Sequence, residues 1–417
     1  MAPLTTAPTG HLGNLSPEQT YKLKEMYLAF LINLGYTSEG AVKVGGKAPP
    51  AEKKGGHFGF GGHKVTAQES LKEATSAIKT CLAKVKREKI KERLPLFAKT
   101  EHFDQVLLRF LRARKWDVVR AAEMYGKTLQ WRLNEYDVDE ILRKGERYYI
   151  DEEPDEGFIN QYKQGKAIVR GKDKFGRPIV NITVHKHDPR AQSEQAMERY
   201  TLHCIEASHL CLNENQETAA VIFDLYQFGL HNMDYHVVKF ILHCFEAHYP
   251  ESLGFVYIHR APWVFSTVWQ VIKGWIDPVV AAKISFTKGE KDLLQTISSE
   301  QLPKSLGGTL AHDYEWIPPS EGDDAPMADT VTRDRLLAER TKKIEKFFDV
   351  TLKWIAADGP EADKFYKERM ALSDELYKDY FKIDPYVRAR SIYDRNGTLA
   401  QFHEEYAPGG VAQPILK

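Results

Sequence analysis

The sequence has no excess of charge of either sign. Its 417 residues include 58 Lys and Arg against 58 Asp and Glu, whereas a protein that binds nucleic acid usually carries a basic excess. It also has only four cysteines, Cys81, Cys204, Cys211 and Cys244, and none of them forms a CxxC pair. This pattern excludes a small disulfide-linked secreted scaffold and favours reduced thiols in a cytoplasmic protein that does not bind nucleic acid.

No segment is apolar for long enough to cross a bilayer. A membrane-spanning helix needs about 20 consecutive apolar residues, but the apolar segment at 265–286, FSTVWQVIKGWIDPVVAAKISF, is interrupted by Lys273, Asp277 and Lys283. The first residues, MAPLTTAPTGHLG, lack the basic and then apolar order of a secretory signal peptide. The sequence therefore predicts neither a membrane span nor a secretory signal.

Motifs for nucleotide binding, metal binding and hydrolysis are absent as well. The Gly-rich residues 44–63 lack the GxxxxGK[ST] pattern and are interpreted as a linker, and the histidines form no HExxH motif. The segment PKSLG resembles the GxSxG of a hydrolase around Ser305, but a proline replaces the first glycine and the preceding pattern is helical. We therefore expect no enzymatic activity, no metal and no cofactor; esterase turnover that depends on Ser305 is the alternative.

Changes of periodicity predict four parts of the chain. The first part begins with a helix that Ser16 and Gln19 close in a capping box and that Gly35 ends. The second is helical throughout and contains the basic turn Arg112–Lys115. In the third, strands alternate with helices, and the fourth contains two amphipathic helices. The predicted boundaries are 1–67, 68–150, 151–317 and 318–417.

The third part has the pattern of an α/β fold. A turn separates two strands and predicts a hairpin, and later strands such as VIFDL and GFVYI are continuous apolar runs, which is typical of strands covered on both faces. Alternating strands and helices imply a mixed, mostly parallel sheet with right-handed crossovers. The predicted strands are 167–170, 177–184, 221–225, 254–258 and 283–286.

One helix in this part is unusually apolar. Its apolar side chains leave few polar positions: Phe265, Val268, Trp269, Ile272, Trp275 and Ile276. Such a helix is either buried or in contact with a non-aqueous phase. The helix breakers Gly274 and Asp277-Pro278 favour a lid that swings about its ends, and tryptophan is common at membrane interfaces. We predict that these residues form a lid that contacts membranes, with simple burial as the alternative.

A lid of this kind suits a lipid cavity. A phospholipid with two chains has roughly 30 methylenes, each worth about 0.8 kcal/mol when kept from water, so release into water is prohibitively slow. Exchange then requires an open lid against a bilayer. An anionic headgroup needs charged partners, for which Lys283 and the turn with Arg112 and Arg114 are candidates, with Glu251 as acceptor for sugar hydroxyls.

Two long stretches resemble a known family. They are LLRFLRARKWDVVRAAEMYGKTLQWR at 107–132 and HYPESLGFVYIHRAPWVFSTVWQVIKGWIDPVVAAKI at 248–284, and they are similar to the CRAL-TRIO lipid-binding proteins, in particular the fungal phosphatidylinositol transfer proteins. The resemblance covers about 75–310 and ends at LPKSLGG. It implies a helical subdomain followed by a mixed sheet that floors an apolar cavity, closed by a mobile helix at 263–276.

The resemblance also implies the ligand. The family's inositol-phosphate site falls on Arg114, Glu251 and Lys283, which are retained in type. The family usually has a threonine three residues before this lysine, and the matching residue here is Val280. Members that also carry phosphatidylcholine hold the choline phosphate with a Ser-x-Thr, and the matching residues here are Ala219 and Val221. These changes predict loss of phosphatidylcholine binding, or a more apolar second ligand such as a sterol or isoprenoid.

Together these observations predict a non-enzymatic carrier of phosphatidylinositol, longer than the minimal family member. It would be cytoplasmic, associate transiently with endomembranes and present its lipid to lipid kinases or phospholipases. A carrier or sensor of a neutral apolar lipid is the alternative, and a structural adaptor that acts through the C-terminal helices is a third hypothesis.

Overall fold

The structure, a computed structural model, describes residues 7–50, 52–54, 63–310 and 314–406. The chain forms two compact units. The α/β unit comprises Val138–Arg333 and the segment that begins at Ile383, and the helical unit comprises the chain up to Asp137 together with Asp334–Lys382. Part of the linker predicted at 44–63 lies outside the described residues.

A five-stranded sheet forms the centre of the α/β unit, as the sequence predicts. Its strands follow the order of the chain, β3-β4-β5-β6-β7, and only the first pair is antiparallel. The predicted hairpin and the α/β fold class are therefore confirmed. The strands are β3 (Ala167–Lys172), β4 (Pro178–Thr183), β5 (Ala219–Asp224), β6 (Leu253–His259) and β7 (Ile284–Thr287), and β1 (Glu52–Lys54) pairs separately with β2 (His63–Val65).

The two faces of the five-stranded sheet differ in what covers them. On one face, Ile179, Ile222 and Tyr257 pack in a core with Leu293, Ile297, Leu302 and Leu306 from the chain that follows the sheet. Side chains alternate between the faces of a strand, so the neighbours of these strand residues point the opposite way. That opposite face carries the register-matched row Val180, Val221, Val256 and Ile284.

Eight helices and parts of two more complete the described part of the α/β unit. A π-helical turn at Cys244–His248 continues the helix Tyr235–His243, and another at Trp131–Glu135 continues the helix Val118–Gln130 of the helical unit. The helices of the α/β unit are α6 (Val138–Asp151), α7 (Glu156–Lys163), α8 (Glu194–His209), α9 (Tyr235–His243), α10 (Phe265–Lys273), α11 (Pro278–Ala281), α12 (Glu290–Leu293), the first turn of α13 (Thr330–Ala356), the end of α14 (Gly359–Val387) and α15 (Ile392–Arg395).

The helical unit surrounds its first helix. The capping box of Ser16 and the left-handed Gly35 are present as predicted, but the helix is not simply amphipathic, because Lys24 and Glu25 are buried along with its apolar residues. The Lys24 Nζ donates to the carbonyl of Ala357 at 3.0 Å, which gives the ammonium an acceptor, although burial still lowers the pKa of Lys24. The helices are α1 (Pro17–Leu34), α2 (Ala67–Cys81), α3 (Arg87–Arg93), α4 (Phe103–Ala113), α5 (Val118–Gln130) and most of α13 and α14.

The two C-terminal helices belong to the core of the helical unit. Phe347, Phe348 and Trp354 of α13 and Leu372 of α14 are buried in the same cluster as α1, α4 and α5. The prediction that these helices are packed rather than free is confirmed. They do not form a separate domain, however, so the predicted boundary at residue 318 does not separate two folding units.

The other predicted boundaries also differ from the units. Helix α6, predicted in the helical subdomain, lies in the α/β unit, where its Glu146 accepts from the Trp316 indole at 3.0 Å and the Arg395 guanidinium at 2.7 Å. The chain after residue 384, which showed no clear pattern, is anchored there. Gly145 has φ 58°, and a Cβ at this position would lie 2.4 Å from Ala389. These boundaries depend on contacts between segments that are distant in sequence, and local periodicity carries no information about such contacts.

A buried ion pair joins α4 to α14 inside the helical unit. The Arg369 guanidinium donates to both carboxylate oxygens of Asp104 at 2.7 Å, and the Tyr27 hydroxyl donates to the same carboxylate at 2.6 Å. Burial by itself would raise the pKa of Asp104, but the charges of Arg369 and His102 and the hydrogen bonds from Arg369 and Tyr27 together outweigh burial and lower this pKa. The pair is therefore ionised and fully satisfied within the core.

We expect Arg369→Leu to lower the free energy of unfolding by about 3–5 kcal/mol, because it leaves the Asp104 carboxylate buried without its counter-charge. Urea denaturation followed by circular dichroism measures the change. Lys127→Ala is the matched control: it breaks the exposed 2.7 Å pair with Glu123 and should change stability by no more than about 0.5 kcal/mol. A loss below about 1 kcal/mol in Arg369→Leu would contradict this account.

Candidate functional site

The α/β unit contains a cavity of ≈ 250 Å³ next to the open face of its sheet. Helix α8 contributes Met197 and Ile205 to its wall, and α9 contributes Val237 and Ile241. The lid segment, defined here as residues 263–276, contributes to a further side. Aliphatic and aromatic side chains dominate the lining, which is the character of a site for an apolar ligand.

The sheet supplies the floor of this cavity. The row Val180, Val221, Val256 and Ile284 lines it, as does Ala219 at the start of β5. Both Ala219 and Val221, the positions where the family pattern has hydroxyl side chains, are therefore on the cavity wall. Their apolar character leaves the floor without hydroxyl donors at these two points.

Helix α10 of the lid segment turns one face to the cavity. Phe265, Val268 and Ile272 are buried, and Phe265, Trp269, Ile272 and Ile276 line the cavity. Ser266, Thr267 and Gln270 are exposed on the other side. The helix is therefore amphipathic and not apolar all round, because its polar residues fall on one face. The predicted apolar set includes residues that face the cavity, so it does not identify the surface that meets a membrane.

The outward-facing apolar residues are ones that the sequence analysis did not select. Trp263 is 87% exposed, Val271 44%, Val279 50% and Phe286 52%. Exposed apolar residues are ordinary when scattered, but these four lie on or beside the lid segment. A signal was present in the sequence, since Trp263 directly follows Ala261-Pro262 and lies outside the helical period. No helix in the described residues is long and apolar enough to span a membrane.

The C-terminal end of the lid segment has defined contacts. Gly274 ends α10, and Asp277 caps α11, which begins at Pro278. The backbone N–H of Asp277 donates to Glu246 Oε1 at 2.9 Å. Trp275 packs edge-on against Tyr235, with the Lys239 ammonium 4.7 Å from the Trp275 ring centroid. Few polar bonds hold this end, which is the arrangement expected of a hinge at an element terminus.

Two predicted headgroup residues lie together at one edge of the sheet. Glu251 precedes β6, Lys283 precedes β7, and these strands are parallel neighbours, so both residues lie at the amino edge. The Lys283 Nζ is 3.7 Å from Glu251 Oε2, and both side chains are about one-quarter exposed. Glu251 has φ 56°, a left-handed conformation that is uncommon for a residue with a side chain. We call these two residues the amino-edge pair. Val280, the third substituted family position, lines the cavity nearby in the chain.

The third predicted headgroup residue belongs to the helical unit. Arg114 is the C-cap of α4, and its Nη1 donates to the carbonyl of Ala113 at 3.2 Å. The turn that follows is tight, with φ values of 52° at Lys115 and 67° at Trp116. Its neighbour Arg112 donates to the carbonyl of Gly10 at 3.0 Å. The role of Arg114 in headgroup binding stays a prediction.

A second polar group of residues lines the cavity and was missed by the sequence analysis. Lys166, His187 and Asp234 form a hydrogen-bonded chain, and we call them the carboxyl-edge cluster. Lys166 precedes β3, and His187 follows β4. Because β3 and β4 are antiparallel neighbours, these two residues lie at the same edge of the sheet. Polar residues after parallel strands are a recognised signal of a site, and His187 carried this signal.

The geometry around Ser305 does not match a hydrolase nucleophile. Ser305 lies exposed in the single turn Lys304–Leu306, and within the described residues no hydrogen bond joins its hydroxyl to a histidine. A nucleophile elbow places the serine between a strand and a helix. Among the same residues, no three His, Cys, Asp or Glu side chains are placed to hold a metal ion. All four cysteines are free thiols.

Comparison with known proteins agrees with this architecture. The model of the CRAL/TRIO domain matches residues 162–308, and that of the CRAL/TRIO N-terminal domain matches 68–127. These matches fall within or next to the span of about 75–310 over which the sequence resembles the family.

Fungal proteins are among the relatives. The chain is 44% identical over 298 residues to Phosphatidylinositol transfer protein CSR1 of Eremothecium gossypii, an alignment that covers 71% of this chain and 68% of that protein. It is 39% identical to CRAL-TRIO domain-containing protein C3H8.02 of Schizosaccharomyces pombe, over 71% of this chain and 66% of that protein. It is 28% identical to the Sec14 cytosolic factor of the same yeast, over 49% of this chain and 74% of that protein. The chain belongs to the CRAL-TRIO family of lipid-binding proteins.

Proposed function

We propose that this protein carries phosphatidylinositol between membranes without chemical conversion. The observation that supports this function most strongly is the apolar cavity between the sheet and the lid segment. The charged amino-edge pair lies outside its lining but directly precedes two residues that line it, Ser252 and Ile284. The relative from Eremothecium gossypii is named a phosphatidylinositol transfer protein, which agrees with this proposal.

The energetics of the cavity support a bound lipid. An unfilled apolar cavity destabilises a protein by about 24 cal/mol for each Å³. Apolar chains of a ligand would recover this loss, because they contact the aliphatic wall as packed side chains do in a protein core.

The lid segment supports exchange at a membrane surface. Its inner residues Phe265 and Ile272 cover the cavity, while Trp263 and Val271 are exposed. An exposed tryptophan is well suited to the boundary between headgroups and acyl chains. When the lid opens against a bilayer, its inner face and the lipid chains both stay in an apolar phase, so the large cost of exposure to water is avoided.

The choice of inositol over choline lipids follows from the polar residues that are present and absent. The Lys283 ammonium supplies a charge-assisted donor for a phosphate, and the Glu251 carboxylate accepts from ring hydroxyls. Arg114 is the third member of this site by resemblance. The floor at Ala219 and Val221 offers no hydroxyl to a choline phosphate, so we propose little or no phosphatidylcholine binding.

The same apolar floor supports a second candidate ligand. Val280, together with Ala219 and Val221, makes the cavity wall more apolar than the family pattern. A carrier or sensor of a sterol or isoprenoid lipid is therefore the alternative function. Mass spectrometry of lipids that co-purify with the protein separates the two candidates directly.

The cellular setting is part of the proposal. We propose a cytoplasmic carrier that associates transiently with endomembranes and presents its lipid to lipid kinases or phospholipases. Lipid transfer needs no catalytic residue, which fits the exposed position of Ser305 outside any nucleophile elbow.

We expect Lys283→Ala to reduce transfer of phosphatidylinositol between vesicles by about tenfold, because one charge-assisted hydrogen bond is lost. A fluorescence-dequenching assay with labelled lipid measures the rate. Lys291→Ala, which removes an exposed lysine of α12, is the control and should transfer normally. Equal rates in the two variants would refute the headgroup site.

We expect Val221→Trp to abolish lipid binding, because its indole would occupy the middle of the cavity floor. Extraction and mass spectrometry of co-purified lipid measure occupancy. Gln270→Trp, which places the same side chain on the exposed face of α10, should keep its lipid. Full occupancy in a folded Val221→Trp protein would show that the ligand lies elsewhere.

We expect Trp263→Ala to weaken binding to phospholipid vesicles by about tenfold, or about 1.4 kcal/mol, while lipid already bound in the cavity is retained. Vesicle flotation measures membrane binding. Val331→Ala tests the specificity of the effect, since Val331 is 80% exposed but lies on α13. If both variants bind vesicles like the native protein, Trp263 does not contact the membrane.

A further inference from the structure

The carboxyl-edge cluster is a relay of hydrogen bonds with a defined direction. The Lys166 Nζ is 3.0 Å from His187 Nδ1, and His187 Nε2 is 3.1 Å from Asp234 Oδ2. An ammonium only donates, so Nδ1 accepts, and Nε2 carries the hydrogen that the Asp234 carboxylate accepts. The Asn232 amide fixes the loop by donating to the carbonyl of His187 at 2.8 Å.

Within this relay, Asp234 is satisfied and Lys166 is not. The second carboxylate oxygen of Asp234 accepts from the N–H of Val237 at 3.1 Å. For the ammonium of Lys166, which is only 4% exposed, the one hydrogen-bond partner among the described residues is the imidazole of His187. Among the residues that the structure describes, two of its three N–H groups therefore have no acceptor and its charge has no carboxylate in contact.

A buried cation without a contacting anion is costly. Burial lowers the pKa of Lys166 to about 8, although Asp188 and Asp234 partly oppose this shift. At neutral pH most of the lysine is still charged. An acceptor that enters the cavity with one negative charge would satisfy both the unused donors and the charge.

The cluster lies at the opposite edge of the sheet from the amino-edge pair. His187 follows β4, which runs parallel to β5, β6 and β7, while Glu251 and Lys283 precede their strands. A strand of six residues spans about 20 Å at about 3.3 Å for each residue. The apolar row of Val180, Val221, Val256 and Ile284 crosses the floor between the two edges. A ligand held at the carboxyl edge would thus extend its tail over this floor.

We propose that the carboxyl-edge cluster binds the carboxylate of a long-chain fatty acid, with Lys166 as its direct partner and the tail along the apolar floor. This second ligand class rests on the proposed function only in requiring that the cavity bind lipid. A carboxylate suits the site because it supplies a single negative charge on a small group, whereas a fatty alcohol supplies an acceptor without charge. A phosphate monoester would bring further charge and bulk against an apolar wall.

Binding of oleate and of oleyl alcohol to the full-length, delipidated protein tests this proposal. Each is titrated against the native protein, Lys166→Met and Lys291→Met, with displacement of a fluorescent fatty-acid analogue as the readout. The control Lys291 lies on α12, is exposed, and is absent from the cavity wall. It therefore matches the loss of charge without the loss of the site.

We expect the native protein and Lys291→Met to bind oleate about tenfold more tightly than oleyl alcohol, because a charge-assisted hydrogen bond contributes this much. Lys166→Met should lose this preference and bind both ligands equally. Unchanged oleate affinity in Lys166→Met, or no preference for the acid in the native protein, would overturn the proposal.

The same titrations separate the two levels of inference. If the alcohol binds but Lys166 gives the acid no advantage, only the fatty-acid site is wrong. If the native protein binds neither ligand nor phosphatidylinositol, the lipid cavity itself is refuted, and the fatty-acid site with it. If Lys166→Met misfolds and does not bind the alcohol, Lys166→Gln replaces it in the same titrations. The ratio of oleate affinity to oleyl alcohol affinity in the native protein then tests the proposal as before.

Discussion

The face of the sheet that carries Val180, Val221, Val256 and Ile284 must be shielded from water, and this requirement shapes the α/β unit. The other face is covered by side chains of the chain that follows the sheet, such as Leu293 and Leu302. On the cavity face, α8, α9 and the lid segment approach the strands without filling the space between them. The same hydrophobic effect that builds an ordinary core therefore produces a site for an apolar molecule here.

The direction of the strands determines where the polar groups of this site lie. Because β4 to β7 are parallel, residues that precede strands collect at one edge and residues that follow them collect at the other. Glu251 and Lys283 occupy the first edge, and His187 occupies the second, in contact with Lys166. The headgroup site proposed at the first edge and the fatty-acid site proposed at the second would orient an amphipathic ligand in opposite directions over the same apolar floor.

The helical unit explains why the chain is longer than its lipid-binding part requires. Helices α13 and α14 are buried against α1 and α4, and the pair of Arg369 with Asp104 joins segments 265 residues apart. The adaptor hypothesis treated these helices as a surface available to partners. Since their apolar faces form the core, removing them would expose that core, and the unit depends on them for its stability.

Local patterns in the sequence determined the strands, the β3–β4 hairpin, the cap at Ser16 and the breaks at Gly274 and Pro278, because each depends on neighbours within a few residues. The long motifs at 107–132 and 248–284 were sufficient to identify the family. Only the tertiary structure decided which lid residues face inward, which unit contains α6 and α13, and that Lys166 meets His187 and Asp234. These features depend on side chains brought together from distant segments, and periodicity along a single segment carries no information about such contacts.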